Sequence, residues 1–322
     1  MLVKKLTHIW KDTNKPFFIS DKGKLSFKEI LNIRIDGINF LKKGDVVSLI
    51  GDFNPESIFT LLSLIDKGCI VVPLTSDTKS QHEYFFNESK TQYVFEQNKL
   101  VNVLRKRQIR NSLLDKLRNT NHPGLILFTT GTTGNPKAIL HDFEPFIRRY
   151  KTPRPPLKAL SFLLFDHIGG LNTLLHMLFN RGTVVTIKKR SVNLVLETCK
   201  KYGIELLPTT PTFLRLLSLS PEIEKSFPKS IKIISYGTER LDQPTLDFLC
   251  EKLSQVDFRQ TYGMSELGIL RIKSLNRKSL FMKVGGEGVE TKIKDNILYI
   301  KAENRMMGYL NSKSPFDKEG WF

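Results

Sequence analysis

Cysteine is scarce in this chain and widely scattered. Cys69, Cys199 and Cys250 are the only three in 322 residues. No C-x-x-C pair occurs, so neither a zinc knuckle nor a disulfide framework is suggested. A reducing, cytoplasmic setting is expected. The N-terminus, Met1-Leu2-Val3-Lys4-Lys5-Leu6, lacks the apolar core of a signal peptide. Long hydrophobic runs are missing too. The most apolar stretch, residues 157–179, is interrupted by Asp166, His167 and the pair Gly169-Gly170. Polar groups of that kind are expensive at mid-membrane, so a buried segment is expected rather than a span. Internal repeats and low-complexity tracts are also absent.

Negative charge is in short supply. Asp and Glu number 32 against 50 Lys and Arg, a net charge of +18. The one dense basic cluster is Arg105, Lys106, Arg107 and Arg110. No aromatic side chains interleave with it, so it offers no stacking platform for single strands, and no nucleic-acid partner is expected. What is present is ordinary globular composition: 40% hydrophobic and 25% charged residues. The length allows one large core or a few packed subdomains.

Most of the chain alternates short apolar runs with amphipathic stretches. Residues 16–19 read as a strand and Asp21 to Lys24 as a turn. Ser26 and Glu29 form an S-x-x-E capping box ahead of a helix predicted to reach Leu41. Val46 to Gly51, a helix from Pro55 to Lys67, and Cys69 to Pro73 make a strand–helix–strand unit, which implies a parallel sheet. The rhythm recurs through Leu125–Phe128, Gly170–Phe179, Thr183–Ile187, Leu194–Lys201, Glu205–Leu207, Phe213–Leu219, Ile231–Ser235 and Pro244–Leu253. Past Leu270 the pattern becomes alternating, which predicts antiparallel hairpins in a small barrel-like β-subdomain.

The most informative segment follows the run Leu125-Ile126-Leu127-Phe128. It reads Thr129-Thr130-Gly131-Thr132-Thr133-Gly134-Asn135-Pro136-Lys137: four threonines, two glycines and a lysine. Glycines let backbone N–H groups face an anion, hydroxyls add neutral donors, and Lys137 adds a mobile positive charge. Together they suit a polyphosphate. The spacing is not that of a Walker loop, whose lysine directly follows its second glycine.

This loop resembles the signature loop of the adenylate-forming superfamily, which includes acyl-CoA synthetases, luciferases and the adenylation domains of nonribosomal peptide synthetases. Companion segments occur in the expected order. Gln260-Thr261-Tyr262-Gly263-Met264-Ser265-Glu266 resembles the family's adenine and metal segment. The resemblance places Tyr262 on adenine, Ser265 at the α-phosphate and Glu266 on Mg²⁺, with Thr261 and Gly263 beside the nucleotide. Ser235-Tyr236-Gly237-Thr238-Glu239-Arg240-Leu241 resembles the turn beside adenine, with Tyr236 and Arg240 departing from the family pattern. Phe165-Asp166-His167-Ile168-Gly169-Gly170 resembles the segment that opens the acyl-binding helix, with His167 as the gate. Thr210, Pro211, Tyr236 and Met264 are expected to join His167 in the acyl pocket.

The resemblance covers essentially the whole chain. It implies an α/β layered sandwich of two related subdomains, residues 1–122 and 123–270, and a small β-subdomain, residues 271–322. Gly308-Tyr309-Leu310 and Gly320-Trp321-Phe322 resemble the end of the family's large domain, so the chain is expected to stop just before the C-terminal lid and to turn over poorly. The implied activity is ATP- and Mg²⁺-dependent conversion of a carboxylic acid, fatty or other acyl, to acyl-AMP. Transfer to CoA or to the phosphopantetheine of an acyl carrier protein would follow. Lys137, Glu266 and His167 are the implied catalytic residues. Two other readings stand beside this one: an amino-acid-activating domain, for which Asp166 would hold the substrate amine, and a noncatalytic nucleotide- or acyl-adenylate-binding module.

Overall fold

The computed structural model describes residues 1–129 and 134–322. Thr130, Gly131, Thr132 and Thr133, all expected at the nucleotide, lie outside the described residues. Two seven-stranded sheets dominate the chain. The first is built from β3 (Val46–Ile50), β4 (Ile70–Leu74), β5 (Tyr93–Glu96), β6 (Lys99–Val103), β7 (Gly124–Phe128), β8 (Ala138–Asp142) and β20 (Gly308–Tyr309), in the order β20-β8-β7-β4-β3-β5-β6. The second combines β1 (Pro16–Ser20), β2 (Gly23–Ser26), β9 (Lys158–Leu160), β10 (Thr183–Val185), β11 (Leu206–Thr209), β12 (Ile233–Tyr236) and β13 (Asp257–Gln260), in the order β13-β12-β11-β9-β10-β1-β2. The N-terminal hairpin β1–β2 thus joins the second sheet, while β7 and β8 join the first. Sheet membership does not follow the expected division at residue 122.

Buried clusters show the layering. Val47, Leu49, Val71 and Leu125 of the first sheet share one core with Phe17, Phe18, Ala159 and Val184 of the second. Helices Pro55–Asp66 and Ile168–Phe179 fill that shared layer. The outer face of the first sheet, Val46, Ile70, Val72, Ile126 and Leu140, is covered by Phe85, Leu114 and Leu117. The outer face of the second is covered by helices Val192–Tyr202, Pro211–Ser218 and Gln243–Lys252. Val46 and Val47 point to different clusters because successive side chains of a strand face opposite ways.

Local chemistry fixes the helix starts. Ser26 Oγ accepts from the Glu29 N–H at 3.2 Å, and Glu29 Oε2 accepts from the Ser26 N–H at 2.7 Å, completing the capping box. Asn54 caps Pro55–Asp66, with Pro55 in its first turn. The helix opened by Ser26 ends at Leu31, not at Leu41 as expected. Beyond it the chain is drawn onto β6: the Asp36 N–H donates to the Asn98 carbonyl at 2.9 Å, and the Leu100 N–H to the Asp36 carbonyl at 3.1 Å. Gly37 turns there with φ 88°, against the Leu100 side chain.

The β-rich end takes the form of two-stranded antiparallel ladders: β14 (Tyr262–Met264) with β15 (Gly268–Leu270), β16 (Ile272–Ser274) with β17 (Met282–Val284), and β18 (Val289–Lys294) with β19 (Ile297–Ala302). Among the described residues, no helix is long and apolar enough to cross a membrane.

Candidate active site

The threonine-rich loop connects β7 to β8, which pair antiparallel with Phe128 opposite Ala138. The two strands therefore form a hairpin. Thr129 and Lys137 close its neck. The Thr129 N–H donates to the Lys137 carbonyl at 3.1 Å, and the Lys137 N–H donates to Thr129 Oγ1 at 3.0 Å. The outgoing limb is pinned from two sides. Tyr84 Oη donates to the Pro136 carbonyl at 3.0 Å, and Asn311 Nδ2 donates to the same oxygen at 3.1 Å. Asn311 Oδ1 also accepts the Ala138 N–H at 2.9 Å. Short-range pairing and these long-range clamps together place Lys137.

Lys137 Nζ sits 4.9 Å from the centroid of the Tyr309 ring. Tyr309 Oη donates to Glu266 Oε1 at 2.6 Å. Burial above all, and then the hydrogen bond to Glu266, raises the Tyr309 pKa, so the phenol stays protonated at neutral pH. The residue before Glu266 is held as well. His141, buried on β8, bonds the Ser265 carbonyl through Nε2 at 2.7 Å. Desolvation pushes the His141 pKa down to about 4, so the ring is neutral and Nε2 carries the donated hydrogen. Two of the expected catalytic residues, Lys137 and Glu266, are thereby joined through Tyr309.

His167 lines a cavity of ≈ 290 Å³ together with Thr129, Gly134, Pro136, Phe85 and Phe128. Its Nδ1 lies 3.4 Å from Oδ1 of buried Asp166, whose Oδ2 accepts from Thr75 Oγ1 at 3.0 Å. His167 also occupies the N-cap position of the helix Ile168–Phe179, with no capping hydrogen bond from its side chain. Gly170 is required in that helix start: a Cβ there would sit 1.8 Å from the Leu164 carbonyl oxygen.

The turn expected beside adenine is built differently from its sequence reading. Tyr236 is wholly buried in the core beside Leu246, Leu249 and Cys250, and burial pushes its pKa up to about 12. Its side chain packs as a strand-end aromatic. Its carbonyl accepts the Thr261 N–H at 2.7 Å, which fastens together the two segments expected at the nucleotide. Gly237 allows that approach, since a Cβ there would meet Thr261 Oγ1 at 2.2 Å. Thr238 is exposed with φ 76°. Glu239 Oε1 accepts from the Thr212 N–H and hydroxyl at 3.2 and 2.7 Å, and Oε2 lies 3.6 Å from Arg215. Glu239 is thus committed to the start of helix Pro211–Ser218. Thr210 is its N-cap, Pro211 is buried in its first turn, and Met264 packs near Leu267. None of these three, nor Tyr236, lines the cavity beside His167. Tyr262 and Gly263 form β14, where a Cβ on Gly263 would lie 2.6 Å from the Gly268 carbonyl oxygen.

The profile of the AMP-binding enzyme family matches residues 34–310. The chain belongs to the AMP-binding enzyme family. Among its relatives is a 4-coumarate–CoA ligase of Arabidopsis thaliana, 25% identical over 60% of this chain and 40% of the relative. A 2-succinylbenzoate–CoA ligase of Staphylococcus epidermidis is 30% identical over 61% of this chain and 44% of its own. Bacitracin synthase 2 of Bacillus licheniformis is 22% identical over 80% of this chain and 11% of the synthase. These matches span less than half the length of each relative. The fold is shared with the NpsA N-terminal subdomain of Klebsiella oxytoca in complex with anthranilyl-AMSN, at TM-score 0.74 and 16% identity, over 96% of this chain and 87% of that one. It is also shared with o-succinylbenzoate CoA synthetase of Bacillus subtilis in complex with its acyl-adenylate intermediate, at TM-score 0.73 and 18% identity, over 98% and 73% of the two chains.

In this member of the AMP-binding enzyme family, Tyr309, Asn311, Tyr84 and His141 are the residues beside the expected site that sequence reasoning missed. Each acts on a segment far away in the chain, and only the pairing of β20 with β8 brings Tyr309 and Asn311 to the loop. The donor set suits Mg²⁺ arriving with a polyphosphate. Among the described residues no group of three or more His, Cys, Asp and Glu could cage a metal, and Glu266 offers one carboxylate. Mg²⁺ commonly takes one or two carboxylates and completes its shell with phosphate oxygens and water.

Proposed function

We propose that this chain supplies the nucleotide- and acid-binding part of a ligase that activates a small-molecule carboxylic acid with ATP. In that reading, a carboxylate oxygen attacks the α-phosphorus, the bond to the bridging oxygen breaks, and pyrophosphate leaves with the electron pair. Acyl-AMP is then open to the thiol of CoA or of a phosphopantetheine carrier. No protein nucleophile is needed; the task is to align two anions and neutralise their charge. The observation that carries the reading is the Lys137–Tyr309–Glu266 arrangement at the neck of the threonine loop. Lys137 supplies the mobile cation, and Tyr309 orients Glu266. Glu266 would hold Mg²⁺, whose role is to offset charge on the phosphates. His167 lines the acid side of the cleft. Relatives named for coumarate and succinylbenzoate support aryl acids as readily as the fatty acids first expected.

Asp166 supports a second reading. Its Oδ1 is buried without a hydrogen bond, and the ammonium of an amino-acid substrate would complete it. A panel of fatty, aryl and amino acids in a pyrophosphate-exchange assay separates the two, with amino-acid preference abolished by Asp166→Ala marking the second. The nucleotide assignment is tested by thermal unfolding with a nonhydrolysable acyl-adenylate mimic. At a hundredfold excess over its dissociation constant the expected gain is about 2.7 kcal/mol, reduced in Lys137→Ala. No shift in the parent chain, or the same shift in both proteins, would refute it.

A further inference from the structure

A second and larger cavity, ≈ 720 Å³, opens between the far end of helix Ile168–Phe179 and the β-rich end of the chain. Four arginines line it: Arg148, Arg149, Arg154 and Arg271. Glu287 and Glu303 line it too, so positive charge stays in excess by four minus two. Among the described residues, none of these guanidiniums lies within ion-pair distance of a carboxylate. Arg149 spends one N–H on the Ile269 carbonyl. Like charges gathered on one wall repel each other, and an anion relieves that repulsion.

The neutral groups of the wall are also turned toward donation. Tyr150 Oη donates to Asn172 Oδ1 at 2.8 Å, which engages the acceptor of Asn172 and leaves its amide N–H₂. Asn180 Nδ2 lies 3.3 Å from His176 Nδ1. Burial, and then Arg149 and Arg154, push the His176 pKa down to about 4, so the imidazole is neutral. With Nδ1 accepting from Asn180, its hydrogen sits on Nε2. Guanidinium, amide and imidazole N–H groups therefore share one cavity with two carboxylates, Glu287 and Glu303, and outnumber them.

This cavity is tied to the reacting side of the chain. Ile269 and Leu270 line it and pair with Gly263 and Tyr262, in the hairpin whose turn carries Glu266. The helix that follows His167 beside the loop carries Asn172 and His176 to the arginine wall. At 1.5 Å per residue they lie about 8 and 14 Å along its axis from His167. We propose that the arginine-lined cavity receives a second anionic group, carboxylate, phosphate or sulfonate, at the far end of the acid that is activated beside the loop. This rests on the acid-activating reading and narrows it. A plain fatty chain would set methylenes against charged, hydrated guanidiniums, whereas a dianionic acid gains charge-assisted hydrogen bonds there.

The test is calorimetric binding of matched acids to the chain in the presence of Mg²⁺ and a nonhydrolysable ATP analogue. Adipate, suberate and sebacate are compared with hexanoate, octanoate and decanoate. At one chain length the diacid should bind at least about tenfold tighter than its monoacid. The double variant Arg148→Gln/Arg271→Gln, which alters exposed side chains, should abolish that preference while keeping the monoacid affinity and the melting temperature. Arg154→Gln gives an independent second variant, expected to weaken the preference. Equal binding of diacids and monoacids, no binding of either, or a preference that survives the variants would overturn the inference. So would inorganic phosphate binding as tightly as the best diacid, because the cavity would then be a site for free anions. Pyrophosphate exchange separates this claim from the broader one. Diacid selectivity without exchange would leave the cavity assignment standing and sink the activation reading; exchange without selectivity would do the reverse.

Discussion

Replacing Tyr309 by phenylalanine removes one oxygen from the centre of the site and little else. The ring remains, so its packing with Ile139 and Met306 and its face toward Lys137 Nζ are retained. What is lost is the 2.6 Å bond from Tyr309 Oη to Glu266 Oε1. A hydrogen bond to a charged acceptor is worth about 1.5–3 kcal/mol. Glu266 is half-buried, so water replaces part of that bond and the lower end applies, about 1.5 kcal/mol of folding stability. The effect on function should be proportionally larger. A partner that orients a metal-holding carboxylate typically accounts for 10–100-fold in metal affinity, so the Mg²⁺ dependence of ATP binding should weaken by roughly that factor. Urea unfolding of the parent, Tyr309→Phe, Glu266→Ala and the double variant gives the coupling energy directly, expected at about 1 kcal/mol or more. ATP binding across a Mg²⁺ titration gives the second readout. Coupling below about 0.3 kcal/mol with an unchanged Mg²⁺ dependence would show that Tyr309 does not position Glu266.

Three further outcomes follow from the same geometry. His141 is neutral in the fold with a pKa of about 4 against 6.5 unfolded; the unfolded chain binds more protons in that window, so stability is present above about pH 6.5 and is lost as pH falls toward 4. The loss is on the order of 3 kcal/mol, and urea midpoints from pH 7 to 4.5 should fall less steeply in His141→Gln. Gly170→Ala drives a Cβ to 1.8 Å from the Leu164 carbonyl oxygen and should cost about 3 kcal/mol or more in unfolding free energy, with acid binding beside His167 lost alongside. Thr238 holds φ 76°, so Thr238→Gly should raise the unfolding free energy by roughly 1 kcal/mol; a drop would show that the threonine side chain compensates the strain.

What the sequence made legible was local. The Ser26–Glu29 box, the helix beginning at Pro55, and the strand leading into the threonine loop all depend on residues a few positions apart, and all appear as expected. The layered fold followed from the alternation of elements and from family resemblance. What stayed hidden depends on distant partners. The helix after Ser26 stops at Leu31 because residues near Asp36 find better hydrogen bonds on β6, a competition that periodicity does not register. Tyr236 looked like a pocket residue because the family turn has glycine there, yet its ring has room in the core beside Cys250. Tyr309 and Asn311 reach the loop only because β20 adds to the edge of the first sheet beside β8. Nothing near either residue in sequence announces that.

The same distinction explains why, of the two glutamates in the segments expected at the nucleotide, only one keeps an oxygen without a protein partner among the described residues. Glu239 follows β12 of the second sheet, and Glu266 lies in the turn between β14 and β15. In the fold both Glu239 oxygens are spoken for, one by the amide and hydroxyl of Thr212, the other by Arg215. Arg215 in turn bonds Asp242 at 2.9 Å and the Arg240 carbonyl, so Glu239 belongs to a network that fixes two helix starts. Removing a proton acceptor from such a network leaves several donors unpaired, which makes Glu239 a structural residue with a structural cost. Glu266 has one oxygen held by Tyr309 and no protein partner on the other among the described residues. One oxygen anchored and one open is the arrangement a Mg²⁺–polyphosphate ligand needs, since the ion keeps most of its shell in phosphate and water. On the proposed reading, Lys137, with its Nζ 4.9 Å from the Tyr309 ring centroid, would meet the same phosphates. On the proposed reading, charge neutralisation at the reacting phosphate would fall to the Lys137 ammonium and to the Mg²⁺ that Glu266 would hold.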